Sequence, residues 1–472
     1  MPNTLEGKTR ASREGPIGPS RPHDPVSGDS ARKRVVMLVS NACTHDTRVI
    51  RAAETVAQLG FDTVVLAVSD DETTSEEEHN GVLYRRIGRR FALPSAARGS
   101  RVRLFKNELG SAVSKGSSLR VRLRFALRSS ELAARFVLAR LLPRTLSIRA
   151  LTETRRIRNA FMDDLVRLNP DIIHAHDLAT LPAGAQAAKA VGSKLIYDAH
   201  ELEVHRNTNV GQIDKFLRYH LEKKYIVACD AVVTVCDSIA DHLAREYTIA
   251  RPVVVMNAPD PQKAQPSDKS IRQVLGLSAD VPLVVYVGHI TIGRGIEQIV
   301  QALEHLPGLH LALIGPANSE TVEDAQSRAR ALQVTDRLHI VDPVASNQVV
   351  SFIGSADLSV VPIQNVCLSY YYCLPNKLLE SALAGLPVVV SNLPELRRFA
   401  EASRSGVTMD ETDPRDIARA IQEAYGSAAR LRPDAERLQR IGKMYGWETQ
   451  RSELEALYAA LAPNPIAAGG SR

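Results

Sequence analysis

Residues 374–390 (LPNKLLESALAGLPVVV) combine groups that could bind a negatively charged ligand. Pro375 suits the first position of a helix, and Gly385 suits its end. A helix N-terminus offers free N–H groups to an anion, and Lys377 in the first turn is unfavourable unless something negative binds there. Glu380, about one turn further on, could accept two hydrogen bonds from the vicinal hydroxyls of a ribose. The pattern therefore predicts an anion site; the alternative is a surface Lys and Glu on an ordinary helix.

Two histidine-containing segments directly follow strand-like runs and are the next candidates for chemistry. In 198–201 (DAHE), two acidic residues flank His200 and could orient or tune its imidazole. The segment 174–177 (HAHD) has residue types that bind metals, but we favour a structural or acceptor-side role for His176. The sequence contains no Asp-x-Asp motif, and cationic side chains with a helix N-terminus can stabilise a leaving diphosphate. We therefore expect no metal.

A third candidate is the turn after the first predicted strand, which holds Asp46 and Arg48. In open α/β folds, ligands bind at the carboxyl ends of the parallel strands, where this turn would lie. Both residues are therefore candidates for contact with an acceptor. The alternative is an Asp that caps the following helix and an Arg at the surface.

Short apolar runs alternate with helical stretches and predict the elements that position these residues. The predicted strands are 35–39, 63–68, 171–174, 194–197, 231–235 and 253–256, followed by 283–287, 309–314, 338–341, 358–361 and 387–390. Such an alternation is typical of parallel sheets that helices cover on both faces. It predicts two doubly wound α/β domains in tandem, with a cleft between them and a hinge near 257–261.

The predicted organisation divides the chain into five parts. They are a disordered tail (1–32), an N-terminal domain (33–256), a C-terminal domain (257–440), a helix that packs back across the domain boundary (441–462) and a flexible tail (463–472). A basic insert at 91–150 interrupts the N-terminal domain. Within it, residues 118–142 have the spacing of an amphipathic helix.

Positive charge is concentrated around that insert. The net charge is only +6, but the stretch from Arg85 to Arg158 holds 20 Lys and Arg residues and three acidic residues. Either the insert packs on its domain with a solvated basic face, or it contacts an anionic acceptor or membrane surface. Nucleic acid is not an expected partner, because no helix-turn-helix, zinc-finger or RNP pattern accompanies the charge.

The composition excludes several other classes of protein. No apolar run reaches the roughly 18 residues that a membrane-spanning helix needs. The first residues lack the apolar core of a signal peptide. Five cysteines without C-x-x-C spacing predict neither a disulfide framework nor a zinc ribbon. We therefore expect a cytoplasmic protein, with the basic insert as its candidate contact to the inner face of the plasma membrane.

Several segments together resemble the retaining GT-B glycosyltransferases of family 4, the group 1 glycosyl transferases. They are 287–295 (VGHITIGRG), 356–362 (ADLSVVP), 380–390 (ESALAGLPVVV) and the helix that begins at Trp447, in the family's order and spacing. The branch with THDTRV (44–49) and LPNK (374–377) is the most similar. The resemblance implies the GT-B fold, in which two doubly wound Rossmann-like domains face a central cleft.

The resemblance also implies a binding site for a nucleotide-sugar donor. The implied donor-binding residues are Gly288, His289, Arg294, Tyr372, Asn376, Lys377 and Glu380. Glu380 matches the glutamate that holds the donor's ribose, and Arg294 matches a cation on the diphosphate. His289 stands where the family has a second cation, which Lys377 could replace. Tyr372 stands where the family has the glutamate that meets the donor sugar, and His200 matches a histidine beside that sugar.

The implied activity is metal-independent, retaining transfer of a sugar from a nucleotide diphosphate-sugar to an acceptor hydroxyl, without a cofactor. Its expected catalytic residues are His200, Arg294, Lys377 and Glu380. The implied pathway is assembly of bacterial surface polysaccharide or glycolipid on a lipid-linked acceptor. The alternatives are a GT-B epimerase or phosphorylase and a non-catalytic nucleotide-sugar-binding protein, which Tyr372 would favour.

Overall fold

The computed structural model describes residues 32–69, 71–88, 149–207 and 211–462. Within these ranges, fourteen strands form one eight-stranded and one six-stranded sheet. Several predictions fall on other parts of the chain. The tail at 1–32 (except Arg32), nearly all of the basic insert with its helix at 118–142, and the tail at 463–472 lie outside the described residues.

The first sheet belongs to the N-terminal half of the chain. Its strands are β1 (Arg34–Val39), β2 (Asp62–Val68), β3 (Ser75–His79), β4 (Val82–Ile87), β5 (Ile172–His176), β6 (Lys194–Ala199), β7 (Ala231–Thr234) and β8 (Val253–Val254). Their order is β3-β4-β2-β1-β5-β6-β7-β8, and all neighbours are parallel except β3 and β4. The central strands β1 and β5 are buried almost throughout, which explains their continuous apolar runs.

The second sheet belongs to the C-terminal half and is parallel throughout. Its strands are β9 (Leu283–Val287), β10 (His310–Ile314), β11 (Leu338–Val341), β12 (Leu358–Val361), β13 (Val388–Ser391) and β14 (Gly406–Met409). Their order is β11-β10-β9-β12-β13-β14.

Helices cover both faces of each sheet, as expected for doubly wound domains. The N-terminal half contributes α1 (Thr47–Gln58), α2 (Arg149–Leu168), α3 (Asp177–Val191), α4 (Gln212–Ile226) and α5 (Asp237–Tyr247). The C-terminal half contributes α6 (Ile271–Leu275), α7 (Ile296–Ala302), α8 (Ser319–Ala331), α9 (Val349–Ile353), α10 (Leu368–Tyr371), α11 (Asn376–Leu383), α12 (Pro394–Ser403), α13 (Pro414–Gly426), α14 (Ala428–Leu431), α15 (Ala435–Tyr445) and α16 (Trp447–Leu461). Across the described ranges, no helix is both long and apolar enough to cross a bilayer.

The C-terminal segment returns from the second domain to the first. The prediction of one helix over 441–462 is wrong, because α15 ends at Tyr445 and α16 begins at Trp447 after Gly446. The α15 residue Ile441 belongs to an apolar cluster of the second domain, whereas Trp447 and Tyr458 of α16 complete a cluster on the first sheet.

The linker between the domains is held by α16. The Trp447 N–H donates to the Pro259 carbonyl at 3.0 Å, and the Met256 N–H donates to Gln450 Oε1 at 2.9 Å. The predicted hinge therefore runs along the start of α16.

Candidate active site

A cavity of about 220 Å³ lies where the loop after β9 meets the start of α11. Five of the predicted donor-binding residues line it: Gly288, His289, Arg294, Asn376 and Lys377. The carboxyl end of β12 closes it through Val361 and Ile363. The structure therefore brings together two loops that are about 80 residues apart in the sequence.

Arg294 is a cation of this cavity that has no carboxylate partner among the described residues. Its guanidinium carbon lies 4.5 Å from the centre of the Tyr370 ring, and its Nε is buried without a hydrogen-bond partner. The next residue, Gly295, has a φ of 68°, and a Cβ there would lie 2.2 Å from the Pro362 carbonyl oxygen. Only glycine fits this turn. An anionic ligand would supply the missing counter-charge.

Lys377 and Glu380 are each other's partner in the structure. Lys377 Nζ lies 3.0 Å from Glu380 Oε2, and the Glu380 side chain is almost fully buried. Burial raises the pKa of Glu380, and the charges of Lys377 and Arg51 oppose the rise. A ligand that binds either side chain must replace part of this pair. Arg51, which belongs to α1 in the first domain and donates to the Ala258 carbonyl, was not indicated by the sequence pattern.

A second cavity, of about 460 Å³, shares Asn376 with the first. Its other lining residues are Asn41, Ala42, Thr44, His45, Asp46, Thr47 and Asn257. Asp46 accepts hydrogen bonds from the Val49 N–H at 3.3 Å and from Asn41 Nδ2 at 3.0 Å, so it caps α1 in the cavity wall. Asn257 Oδ1 is buried without a hydrogen-bond partner, and no sequence signal indicated it.

Arg48 lies in neither cavity, and the structure corrects both interpretations of it. Its side chain is neither at the surface nor placed to contact an acceptor, because the residue is only 1% exposed. Its Nη2 and Nε bind the two Asp198 oxygens at 2.6 and 2.9 Å, and its Nη1 donates to the Val255 carbonyl at 2.6 Å. Arg48 therefore positions Asp198 instead of binding a substrate.

His200 lies between two carboxylates. Its Nδ1 is 3.4 Å from Asp177 Oδ2, and its Nε2 is 3.3 Å from Asp198 Oδ2. Burial by itself lowers the pKa of His200, but Asp177 and Asp198 outweigh that effect and raise the pKa to about 9. The two carboxylates therefore favour the protonated form of His200. Its side chain is 18% exposed, the most accessible of the three clustered histidines.

Asp177 shows two signs of strain. Its φ of 61° is a left-handed conformation that non-glycine residues seldom adopt, and its Oδ1 is buried without a partner. Burial raises the pKa of Asp177 to about 7, although the charge of His200 opposes the rise. Asp177 and His200 are the partly exposed members of this cluster, and the pKa of each is raised. Titratable groups with such shifts are frequent at functional sites.

His176 is fully buried beneath His200. Its Nδ1 lies 3.1 Å from Asp198 Oδ2 and 3.2 Å from His200 Nε2. Burial lowers its pKa, although Asp198 opposes the effect. His176 lines neither cavity, so the structure supports its structural role over its acceptor-side role.

The buried atoms of His174, His176 and Asp198 are close enough together to hold a metal ion. However, both Asp198 oxygens already bind the Arg48 guanidinium. A permanent cation at that distance disfavours a second one. His174 Nδ1 lies 2.8 Å from the Tyr458 hydroxyl, whereas the Nε2 atoms of His174 and His176 are buried without hydrogen-bond partners. The ion pair of Asp198 with Arg48 is therefore the feature that opposes a metal at these residues.

Tyr372 does not line the cavity that holds Arg294 and Lys377, which corrects its predicted place. Its ring packs against the apolar cluster of the first domain, 6.1 Å from the His242 ring. Its carbonyl oxygen accepts a hydrogen bond from Cys236 Sγ at 3.0 Å. The end of α10 thus directs this side chain into the contact between the domains.

Two doubly wound domains, with a cation-lined cavity at the loops of the second domain and an adjoining cavity between the two domains, define the GT-B class of fold. Residues 267–443 match the family model "Glycosyl transferases group 1", and residues 96–263 match the model "Glycosyltransferase Family 4". The chain therefore belongs to the family 4 glycosyltransferases of the group 1 type.

Similar proteins include the D-inositol 3-phosphate glycosyltransferase of Xylanimonas cellulosilytica, at 27% identity over 61% of this chain and 72% of that protein. A second protein of that description, from Catenulispora acidiphila, is 26% identical over 61% of this chain and 70% of its own length.

Solved structures share the fold at lower identity. Sucrose-phosphate synthase from Thermosynechococcus elongatus superposes with a TM-score of 0.69 at 18% identity, covering 93% of this chain and 100% of the other. Anabaena HepE in complex with UDP superposes with a TM-score of 0.61 at 14% identity, covering 90% of this chain and 100% of the other.

Proposed function

We propose that this chain is a retaining glycosyltransferase that moves a sugar from a nucleoside diphosphate-sugar to an acceptor hydroxyl without a metal. The observation that carries the proposal is that Arg294, a partly buried arginine of this cavity, has no carboxylate partner among the described residues, and its Nε is buried without a hydrogen-bond partner. A departing diphosphate gains negative charge as the glycosidic bond breaks. Arg294 and the N–H groups at the start of α11 would stabilise that charge.

The other predicted site residues also have roles in the proposed reaction. Glu380 would accept the ribose hydroxyls, and Lys377 would turn from Glu380 towards the diphosphate. The donor sugar would lie near the His200 side chain. The acceptor would enter the second cavity, which adjoins the first at Asn376. Closure of the domains would exclude water and limit hydrolysis of the donor. The UDP-glucose complex of Anabaena HepE supports a donor of this class.

Two classes of acceptor follow from different observations. The names of the D-inositol 3-phosphate glycosyltransferases support a phosphorylated cyclitol. The basic stretch at 91–150 supports a lipid-linked acceptor at an anionic membrane, as in the assembly of bacterial surface polysaccharide or glycolipid. Deleting residues 95–149 should weaken binding to anionic vesicles and leave donor binding intact. Equal vesicle binding by the deletion variant and the wild-type protein would contradict the proposal of a lipid-linked acceptor.

A thermal-shift screen tests the proposal directly. UDP, GDP and ADP, and their glucose, mannose and N-acetylglucosamine conjugates, serve as probes, because a bound donor stabilises the fold by mass action. Arg294→Ala should abolish the shift, whereas Arg328→Ala, which removes an arginine paired with Glu297 and Asp324, should not. The absence of any shift in the wild-type protein would contradict the proposal.

Product analysis then separates the remaining alternatives. Turnover that requires an added acceptor excludes an epimerase, and its independence of inorganic phosphate excludes a phosphorylase. Full activity in EDTA supports metal independence. The anomeric configuration of the product, read by NMR, tests retention. A donor that binds without any turnover would instead indicate a binding protein.

A further inference from the structure

Glu201 follows His200 in the chain and makes a direct contact with the C-terminal domain. Its Oε2 accepts a hydrogen bond from the Ser369 hydroxyl in α10 at 3.4 Å, and its Oε1 lies 3.1 Å from Arg206 Nη2. The side chain is 34% exposed. A carboxylate offers about four lone-pair positions, so two contacts leave capacity for further hydrogen-bond donors.

The charged groups around Glu201 come from both halves of the cleft. Burial raises the pKa of Cys373 to about 12, and the charges of Arg294 and Glu201 also act on this thiol, in opposite directions. Burial raises the pKa of Asp177, and the negative charge of Glu201 adds to that effect. The charge of Glu201 thus acts on one group in each domain, Cys373 and Asp177.

Steric contacts place the segment that follows Glu201 next to the loop that holds Arg294. A Cβ at Gly293 would lie 2.7 Å from Asn207 Nδ2, so the chain after Glu201 touches the loop of Arg294. Arg294 in turn stacks on Tyr370, the neighbour of the Ser369 that holds Glu201. The stretch 201–207 and the Arg294 loop are therefore in contact.

We propose that Glu201 binds hydroxyl groups of the donor sugar and thereby contributes to the choice of donor. This inference rests on the proposed function, because the sugar is located by a diphosphate bound at Arg294. A sugar extending from that diphosphate towards His200 would come near the Glu201 carboxylate, because Glu201 follows His200 and contacts Ser369, the neighbour of Tyr370 on which Arg294 stacks. Vicinal hydroxyls donate well to the two oxygens of one carboxylate. The hydrogen bond from Ser369 would hold the Glu201 carboxylate in place for this contact.

Calorimetry with matched ligands tests this role. The dissociation constants of UDP and UDP-glucose, and of every other nucleotide and nucleotide-sugar pair that shifts the melting temperature, are measured for the wild-type protein and four variants. Glu201→Gln weakens acceptance of hydrogen bonds, Glu201→Asp shortens the side chain, and Ser369→Ala removes the anchor. Glu246→Gln, at an exposed position of α5, is the control.

We expect Glu201→Gln to weaken binding of the nucleotide-sugar by about tenfold to hundredfold, the range for hydrogen bonds to a charged group. Binding of the nucleotide alone should remain unchanged, and Glu201→Asp and Ser369→Ala should have smaller effects of the same kind. An equal loss for both ligands would mean that Glu201 only joins the domains, and it would overturn the inference. So would an unchanged sugar preference in Glu201→Gln, or a wild-type protein that binds both ligands equally. Failure of the wild-type protein to bind any nucleotide would instead contradict the proposed function.

Discussion

Arg48 and Asp198 are 150 residues apart in the sequence and form a two-point ion pair whose side chains are 2% and 3% exposed. The pair joins α1 to the end of β6, next to His200. Burial alone would raise the pKa of Asp198, but Arg48 and then His200 hold it well below its usual range. The carboxylate that faces the two deeper histidines is thereby kept ionised.

Breaking this pair should be costly. Arg48→Ala leaves Asp198 buried without its main counter-charge, and we expect a loss of about 3–5 kcal/mol in the free energy of unfolding. The control is Arg440→Ala, because Arg440 and Glu436 form a pair whose side chains are 59% and 79% exposed. That change should cost only about 0–1 kcal/mol. Urea denaturation measures both, and similar losses in the two variants would contradict the role given to Arg48.

The protonation of His200 depends on Asp177. Asp177→Asn removes the first of the two carboxylates that raise the pKa of His200, so this pKa should fall below about 9. NMR titration of labelled histidine measures the change. Asp163→Asn, an exposed change on α2, should leave the titration unaltered.

The same pair gives stability a defined pH dependence. The pKa of His200 is raised in the folded state, so protonated His200 adds to the free energy of unfolding. This stabilisation is fully present below the unfolded-state pKa of about 6.5. That contribution is lost as the pH rises through about 9. The difference in unfolding free energy between the wild-type protein and Asp177→Asn should therefore shrink as the pH rises across this window. A difference that stays constant would mean that His200 does not carry the effect.

Lys377 pairs with Glu380, and in the proposed function it also binds the diphosphate. Lys377→Met should raise the pKa of Glu380 further, because burial would then be opposed mainly by Arg51. It should also weaken nucleoside diphosphate binding by about tenfold, the loss of one charge-assisted hydrogen bond. Calorimetry measures the affinity, and Lys269→Met in the exposed segment before α6 is the control. Unchanged affinity in both variants would leave Arg294 as the cation that binds the diphosphate.

Trp447 connects α16 to the linker and to the first sheet. Trp447→Ala should lower the unfolding free energy by about 3–5 kcal/mol, because it opens a cavity in a buried cluster. Met444→Ala, at a side chain that is 42% exposed, should change it little. If the tryptophan variant is as stable as the wild-type protein, the apolar contact of α16 contributes less than its burial indicates.

Elements with a strong local signal were predictable, and elements that depend on distant partners were not. The fully buried parallel strands read as continuous apolar runs and were located, whereas β4, with the mixed sequence VLYRRI, was missed. Strand β3 was missed because Ser75–His79 is polar and exposed, and it is held only by antiparallel pairing with β4. Strand β14 was missed because Gly406–Met409 is a short strand at the other sheet's edge.

The candidate site shows the same division. The predicted residues that line the cavity of Arg294 and Lys377 come from two local motifs, so the sequence indicated them. The burial of Arg48 depends on Asp198, and the direction of Tyr372 depends on Cys236 and the first domain, which no local pattern contains.

The return of α16 to the first sheet makes the N-terminal domain discontinuous in the gene. A chimaera that exchanges only residues 33–256 would place a foreign sheet against the resident α16 and mismatch the Tyr458–His174 hydrogen bond. An exchange that also carries residues 447–462 would keep the native apolar contact intact. Recombination or engineering that joins one half of this protein to the other half of a relative must therefore cut the chain at two places, near 257 and at Gly446.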